Sequence, residues 1–94
     1  MIQSFADPET ERIWSGQRSR KLPPDIQAAA LRKLRLLNNA RVLADLRVPP
    51  GNRLEALKGY RSGEYSIRIN NQWRICFQWH PGGPSNVGII DYHD

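Results

Sequence analysis

Cysteine is almost missing from this chain. Cys76 stands alone among 94 residues, so no internal disulfide can form, and two histidines are too few for a recognisable zinc set. No metal and no cofactor is therefore expected, and Cys76 reads as a small strand residue. Long apolar runs are missing too. No stretch approaches the roughly 18 consecutive apolar residues of a membrane span, and the opening residues Met1 to Asp7 have neither the basic nor the apolar region of a secretory signal. The expected location is the cytoplasm, away from any membrane. There is no repeat, low-complexity run or linker, and residues 1–94 read as one domain. A hydrophobic content of 39% suffices for a single core but not for two. Acidic charge is in the minority, with nine Asp and Glu against fourteen Lys and Arg, a formal charge of +5. The excess is clustered: a basic stretch from Gln17 to Lys21, then Arg32, Lys33 and Arg35 on a predicted helix, then Arg41, Arg47, Arg53, Lys58 and Arg61. Such a balance favours a polyanionic partner. A solvated surface, or a face covered by an acidic protein, would leave the same composition.

What is present is most telling in the last third. Strict alternation from Glu64 to Trp79 sorts Tyr65, Ile67, Ile69, Trp73, Ile75 and Phe77 to one side of a β-hairpin, and Arg68, Arg74 and Cys76 to the other. A three-residue loop, Asn70 to Gln72, pairs Ile67 with Ile75 and Tyr65 with Phe77, whereas a two-residue loop would set Ile67 against Arg74 and mix the faces. On the favoured register Arg68 sits opposite Arg74. Two guanidinium groups side by side repel unless an anion lies between them. With Tyr92 and His93 arriving from the next strand, that face is suited to a phosphate.

Elsewhere the pattern predicts a short strand over residues 2–5. A short helix follows, N-capped by Asp7 with Pro8 at its first position and ending before Gly16. Residues 16–23, with three cations and few apolar side chains, are expected to form a mobile loop. A second helix starts at Pro24 with a stripe of Ile26, Ala30, Leu34 and Leu37. A helical turn through Val42, Leu43 and Leu46 comes next, then a strand over 54–57, a loop over 80–85 and a last strand over about 86–92. If Trp79 pairs with Val87, Arg74 lies opposite Tyr92. Trp14 is expected in the core and His80 in a loop. The order implies an α+β domain, with two to three helices packed on one face of an antiparallel sheet of about four to five strands and the other face open to solvent.

Residues 1–5, 46–59, 65–77 and the terminal Asp91, Tyr92 and His93 together resemble the RelE superfamily of bacterial toxins, and within it the HigB branch. The resemblance covers almost the whole chain. It implies a RelE-like fold and a type II toxin that cuts messenger RNA in the decoding site of a translating 70S ribosome. It also implies a HigA-like helix-turn-helix antitoxin as partner, reaching operator DNA through that antitoxin. Carried over by position, Lys58 matches the basic residue after the second strand, Arg74 the arginine following tryptophan in the hairpin, and Asp91, Tyr92 and His93 the terminal set. Glu55 occupies a position that can be histidine in the HigB branch, whereas Glu55-Ala56-Leu57-Lys58 is similar to a Glu-Pro-Leu-Lys segment of YoeB-like toxins. The mixed pattern leaves the general base open.

Cleavage by the 2′-hydroxyl needs in-line positioning, a base, charge stabilisation at phosphorus and an acid for the departing 5′-oxygen. Arg68, Arg74 and Lys58 are candidates to hold the phosphate, with Arg53 and Arg61 as further RNA contacts. Glu55 is a candidate base or a salt-bridge partner, His93 a candidate acid, and Tyr92 a group to orient the hydroxyl, donate a hydrogen bond or stack on a base. A histidine pair across the phosphate is missing, which fits dependence on the ribosome and little cutting of naked RNA. The rivals are a ParE-like toxin that blocks gyrase without cutting, and a non-catalytic RNA-binding module. The second would more often expose aromatic platforms, whereas Trp73, Phe77 and Trp79 fall on the core side.

Overall fold

In a computed structural model of the chain, residues 1–92 are described; His93 and Asp94 lie outside the described residues. Asp7 caps helix α1 (Pro8–Trp14), its carboxylate accepting from the Thr10 amide at 2.7 Å and from the Thr10 hydroxyl at 3.0 Å. That hydroxyl in turn accepts from the Ile89 amide at 2.9 Å and so stitches the helix to the sheet. Helix α2 (Pro24–Asn39) buries Ile26, Ala30, Leu34 and Leu37, the stripe expected from its spacing. The loop between the helices is tied down rather than left free. Ser19 is buried, donates to Glu9 at 2.7 Å and accepts from the amides of Lys21 and Leu22, while Gln27 bonds the Ser19 backbone on both sides.

Four antiparallel strands follow in spatial order: β1 (Glu55–Ala56), β2 (Glu64–Arg68), β3 (Trp73–His80) and β4 (Gly83–Asp91). The β2–β3 register is the one the alternation demands, with Tyr65 opposite Phe77, Ile67 opposite Ile75 and Arg68 opposite Arg74. Asn70 closes the loop, its side-chain oxygen accepting from the amides of Gln72 and Trp73. Phe77, Ile67, Ile75, Val87 and Ile89 meet the stripe of α2, with Ile13 and Leu46 completing the core and Trp14, Trp73 and Trp79 packed at its margin. Each fully buried aliphatic or aromatic side chain there contributes about 1.5–3 kcal/mol.

Four further expectations are corrected. The 80–85 loop is a two-residue turn at Pro81 and Gly82, because Gly83 takes a left-handed backbone (φ 124°) where a Cβ would collide with the Met1 carbonyl. The turn sets Trp79 opposite Pro84, not Val87, and together with a one-residue bulge it sets Arg74 opposite Ile90, not Tyr92. Between Cys76 and Gln78 the ladder is irregular: Phe77 on β3 is matched by both Asn86 and Val87 on β4, and Asn86 (φ 52°) is the residue whose backbone absorbs the bulge. The segment 2–5 is not a ladder strand. It runs parallel to β4 through one bridge, Phe5 with Val87, in which the Val87 amide donates to the Ser4 carbonyl and the Ala6 amide to the Val87 carbonyl, while the Asn86 amide donates to the Ser4 hydroxyl. Finally, the face away from the helices is not open at its centre: Ser66, Cys76 and Arg74 are all buried.

Candidate functional site

Arg74 leaves the middle of β3 on that second face, and its position is set by what surrounds it. Its Nε donates to the Ser66 hydroxyl at 2.7 Å and its Nη2 to the Arg53 carbonyl at 2.5 Å, with a longer contact of 3.4 Å to the Ser66 carbonyl. Nη1 lies 3.8 Å from the Glu55 carboxylate, and the Tyr92 ring centroid is 5.6 Å from the guanidinium carbon. Arg68, directly across the hairpin, is drawn the other way and donates to the Asn71 side chain. The like-charged pair is thus relieved by separate anchors, one beneath the sheet face and one over the loop.

Between them opens a cleft of about 190 Å³ lined by Arg53, Glu55, Arg68, Asn70, Asn71, Arg74 and Tyr92. Three guanidinium groups against one carboxylate leave the cleft positive. The fork of Arg74 fills its inward bonds with protein groups while the guanidinium still lines the cleft, so the charge is preorganised for an anion. Lys33 on α2 adds to the field from behind: burial first, then Arg32 and Arg68, push its ammonium pKa down.

Of the residues singled out from the sequence, Arg53, Glu55, Arg68, Arg74 and Tyr92 meet in this cleft. Lys58, Arg61 and Asp91 do not line it. Lys58 is exposed two residues past β1. Arg61 pairs with Glu64 at 3.4 Å, a bond that raises its already high pKa, and it stands toward Cys76 at the other end of the same face. The Asp91 carboxylate accepts from Gln72 Nε2 at 3.2 Å, while the Tyr92 amide bonds the Gln72 carbonyl at 2.7 Å, so the end of β4 is fastened to the hairpin tip. His93, assigned from the sequence as an acid, falls outside the described residues. Cys76 is buried, which raises its thiol pKa against the pull of Arg61 and Arg74 and leaves it protonated and inert.

Sequence reasoning missed Asn70 and Asn71 as cleft residues and Ser66 as the support of Arg74. The signal for the asparagines was available, since any hairpin that pairs Arg68 with Arg74 places its loop beside them. Among the described residues no group of three His, Cys, Asp or Glu side chains is placed to hold a metal ion, and no helix is long and apolar enough to cross a membrane.

Residues 3–93 match the family model described as the RelE-like toxin of the type II toxin-antitoxin system HigB. The chain is 43% identical over 94 residues to Toxin HigB-1 of Vibrio cholerae serotype O1, covering 99% of this chain and 98% of that one. It is also 30% identical over 92 residues to an uncharacterized protein of Haemophilus influenzae, covering 97% and 90% of the two chains.

Proposed function

The chain belongs to the HigB family of RelE-like toxins of type II toxin-antitoxin systems, and on that premise we propose that it is a ribosome-dependent endoribonuclease whose cleft holds one phosphodiester of the message. The observation that carries this reading is the convergence of Arg53, Arg68, Arg74, Glu55 and Tyr92 on a single positive cleft. As a type II toxin it has an antitoxin partner; the finer assignment is a HigA-like helix-turn-helix protein that also contacts operator DNA.

In the proposed reaction the 2′-oxygen attacks phosphorus, the P–O5′ bond breaks, and the products are a 2′,3′-cyclic phosphate and a 5′-hydroxyl. Arg68 and Arg74 hold the non-bridging oxygens and take up the charge that grows on them. Glu55 is the carboxylate of the cleft; its side chain is half exposed and its ion pair with Arg74 is long, so it is free to take the 2′-proton. His93, next in the chain to Tyr92, is assigned to protonate the departing 5′-oxygen, and Tyr92 orients the attacking group. No metal takes part in this scheme. Arg61 and Lys58, outside the cleft, serve as flanking RNA contacts. In-line geometry comes from the ribosome, which holds the message bent.

The test is to map message ends in a purified translation reaction with the parent protein and with Glu55→Gln. Cuts in phase with codons are expected for the parent, slowed on the order of 10²–10⁴-fold in the variant. Intact message with blocked gyrase supercoiling would overturn the reading.

A further inference from the structure

Behind the cleft lies a polar cluster to which the chemistry above gives no task. Asn52, the last residue of the 3₁₀ turn Pro50–Asn52, is completely buried, yet its side chain is fully engaged. Its amide nitrogen donates to the carbonyls of Leu46 at 3.1 Å and Val48 at 3.3 Å, and its amide oxygen accepts from Lys33 Nζ at 2.5 Å. These bonds join α2 to the two turns that lead into β1. No other side chain of this size fits the pattern: aspartate would accept from Lys33 but face two carbonyl oxygens, and leucine would fill the space while leaving every partner unmet.

The next residue shows where the constraint leads. Arg53 adopts a left-handed backbone (φ 45°, ψ 56°), which costs a non-glycine residue roughly 1–2 kcal/mol. That turn aims its carbonyl at Arg74 Nη2 and leaves its side chain on the cleft. Asn52 is thus one residue away from the carbonyl that fixes the best-anchored guanidinium of the site.

We infer that Asn52 is a positioning residue: clamped by Lys33 and by the carbonyls of Leu46 and Val48, it holds Arg53 in its left-handed turn and so aims the Arg53 carbonyl that sets the guanidinium group of Arg74 at the bound phosphate. The role in turnover rests on the cleft being the RNA site; the effect on Arg74 geometry does not.

Asn52→Ala and Arg74→Ala, singly and together in the full chain, test this through two readouts. At saturating ribosome-bound message, Asn52→Ala is expected to lower kcat per folded molecule on the order of 30- to 100-fold with KM little changed. The double variant should be no slower than Arg74→Ala alone, because the two act through one group. Unchanged kcat per folded molecule, or losses that multiply, would overturn the inference. The second readout needs no catalysis. The Arg74 Nε proton, buried on the Ser66 hydroxyl, should exchange with solvent at least about tenfold faster in Asn52→Ala when followed by NMR; an unchanged rate refutes the positioning role. If Asn52→Ala does not fold, Lys33→Met, which removes one of the three bonds, is expected to show both effects at about fivefold, and their absence there is equally fatal. A parent protein that cuts no message would defeat the functional reading while the exchange rates still decide this one.

Discussion

Replacing Arg74 separates geometry from charge. The residue is 7% exposed, and truncation to alanine removes the bonds to the Ser66 hydroxyl and the Arg53 carbonyl. Hydrogen bonds from a charged group contribute about 1.5–3 kcal/mol each, and water entering the emptied cleft recovers roughly half of that. The half-exposed pair with Glu55 adds less than about 1 kcal/mol, and relief of repulsion from Arg68 returns a few tenths. The net expectation is a loss of about 2–3 kcal/mol, which in a domain of this size lowers Tm by roughly 10–20 °C. Message cleavage should fall on the order of 10²–10³-fold, the usual effect of losing one preorganised donor. Arg74→Lys is the sharper probe. An ammonium keeps the charge but lacks the planar fork that reaches Ser66 and Arg53 together, so a loss of at least about 30-fold is expected. Calorimetry and single-turnover cleavage measure the two quantities. A lysine variant within about threefold of the parent, or an alanine variant losing under about 1 kcal/mol, would refute the reasoning.

Arg68→Ala should behave differently, because its partner Asn71 is exposed: stability within about 0.5 kcal/mol by urea unfolding, but cleavage reduced at least about tenfold. Ser19→Ala removes the hydroxyl that serves Glu9, Lys21 and Leu22, and a loss of about 1–3 kcal/mol is expected in the urea midpoint with cleavage per folded molecule retained. Lys33 carries a folded pKa below its ordinary 10.5. Between the two values the unfolded chain binds more protons at this group, so stability should rise with pH through that window and level off above it. Unfolding measured across that range should lose this rise in Lys33→Met; an identical pH slope in both proteins would contradict the assignment.

Much of the fold was written in local patterns. The Asp7 cap, the stripe of α2 and the β2–β3 register follow from short-range spacing, and a one-residue slip in that hairpin would have put Arg74 against Ile67. The pairing of Arg68 with Arg74, and therefore the location of the cleft, came from the amino-acid order alone. What that order could not convey is what covers a face. Period-two alternation assigns Arg74 to the side away from the helices, but whether solvent or protein lies there depends on the segment through Asn52 and Arg53, about twenty residues earlier. The β3–β4 register was likewise decided by a bulge at Asn86, whose left-handed backbone leaves no periodic trace. Tertiary structure alone thus drew Arg53 and Glu55 into the cleft, kept Lys58, Arg61 and Asp91 off its walls, and set Lys33 against Asn52. Contacts between distant segments are fixed by packing and hydrogen-bond satisfaction over the whole chain, which no local window contains.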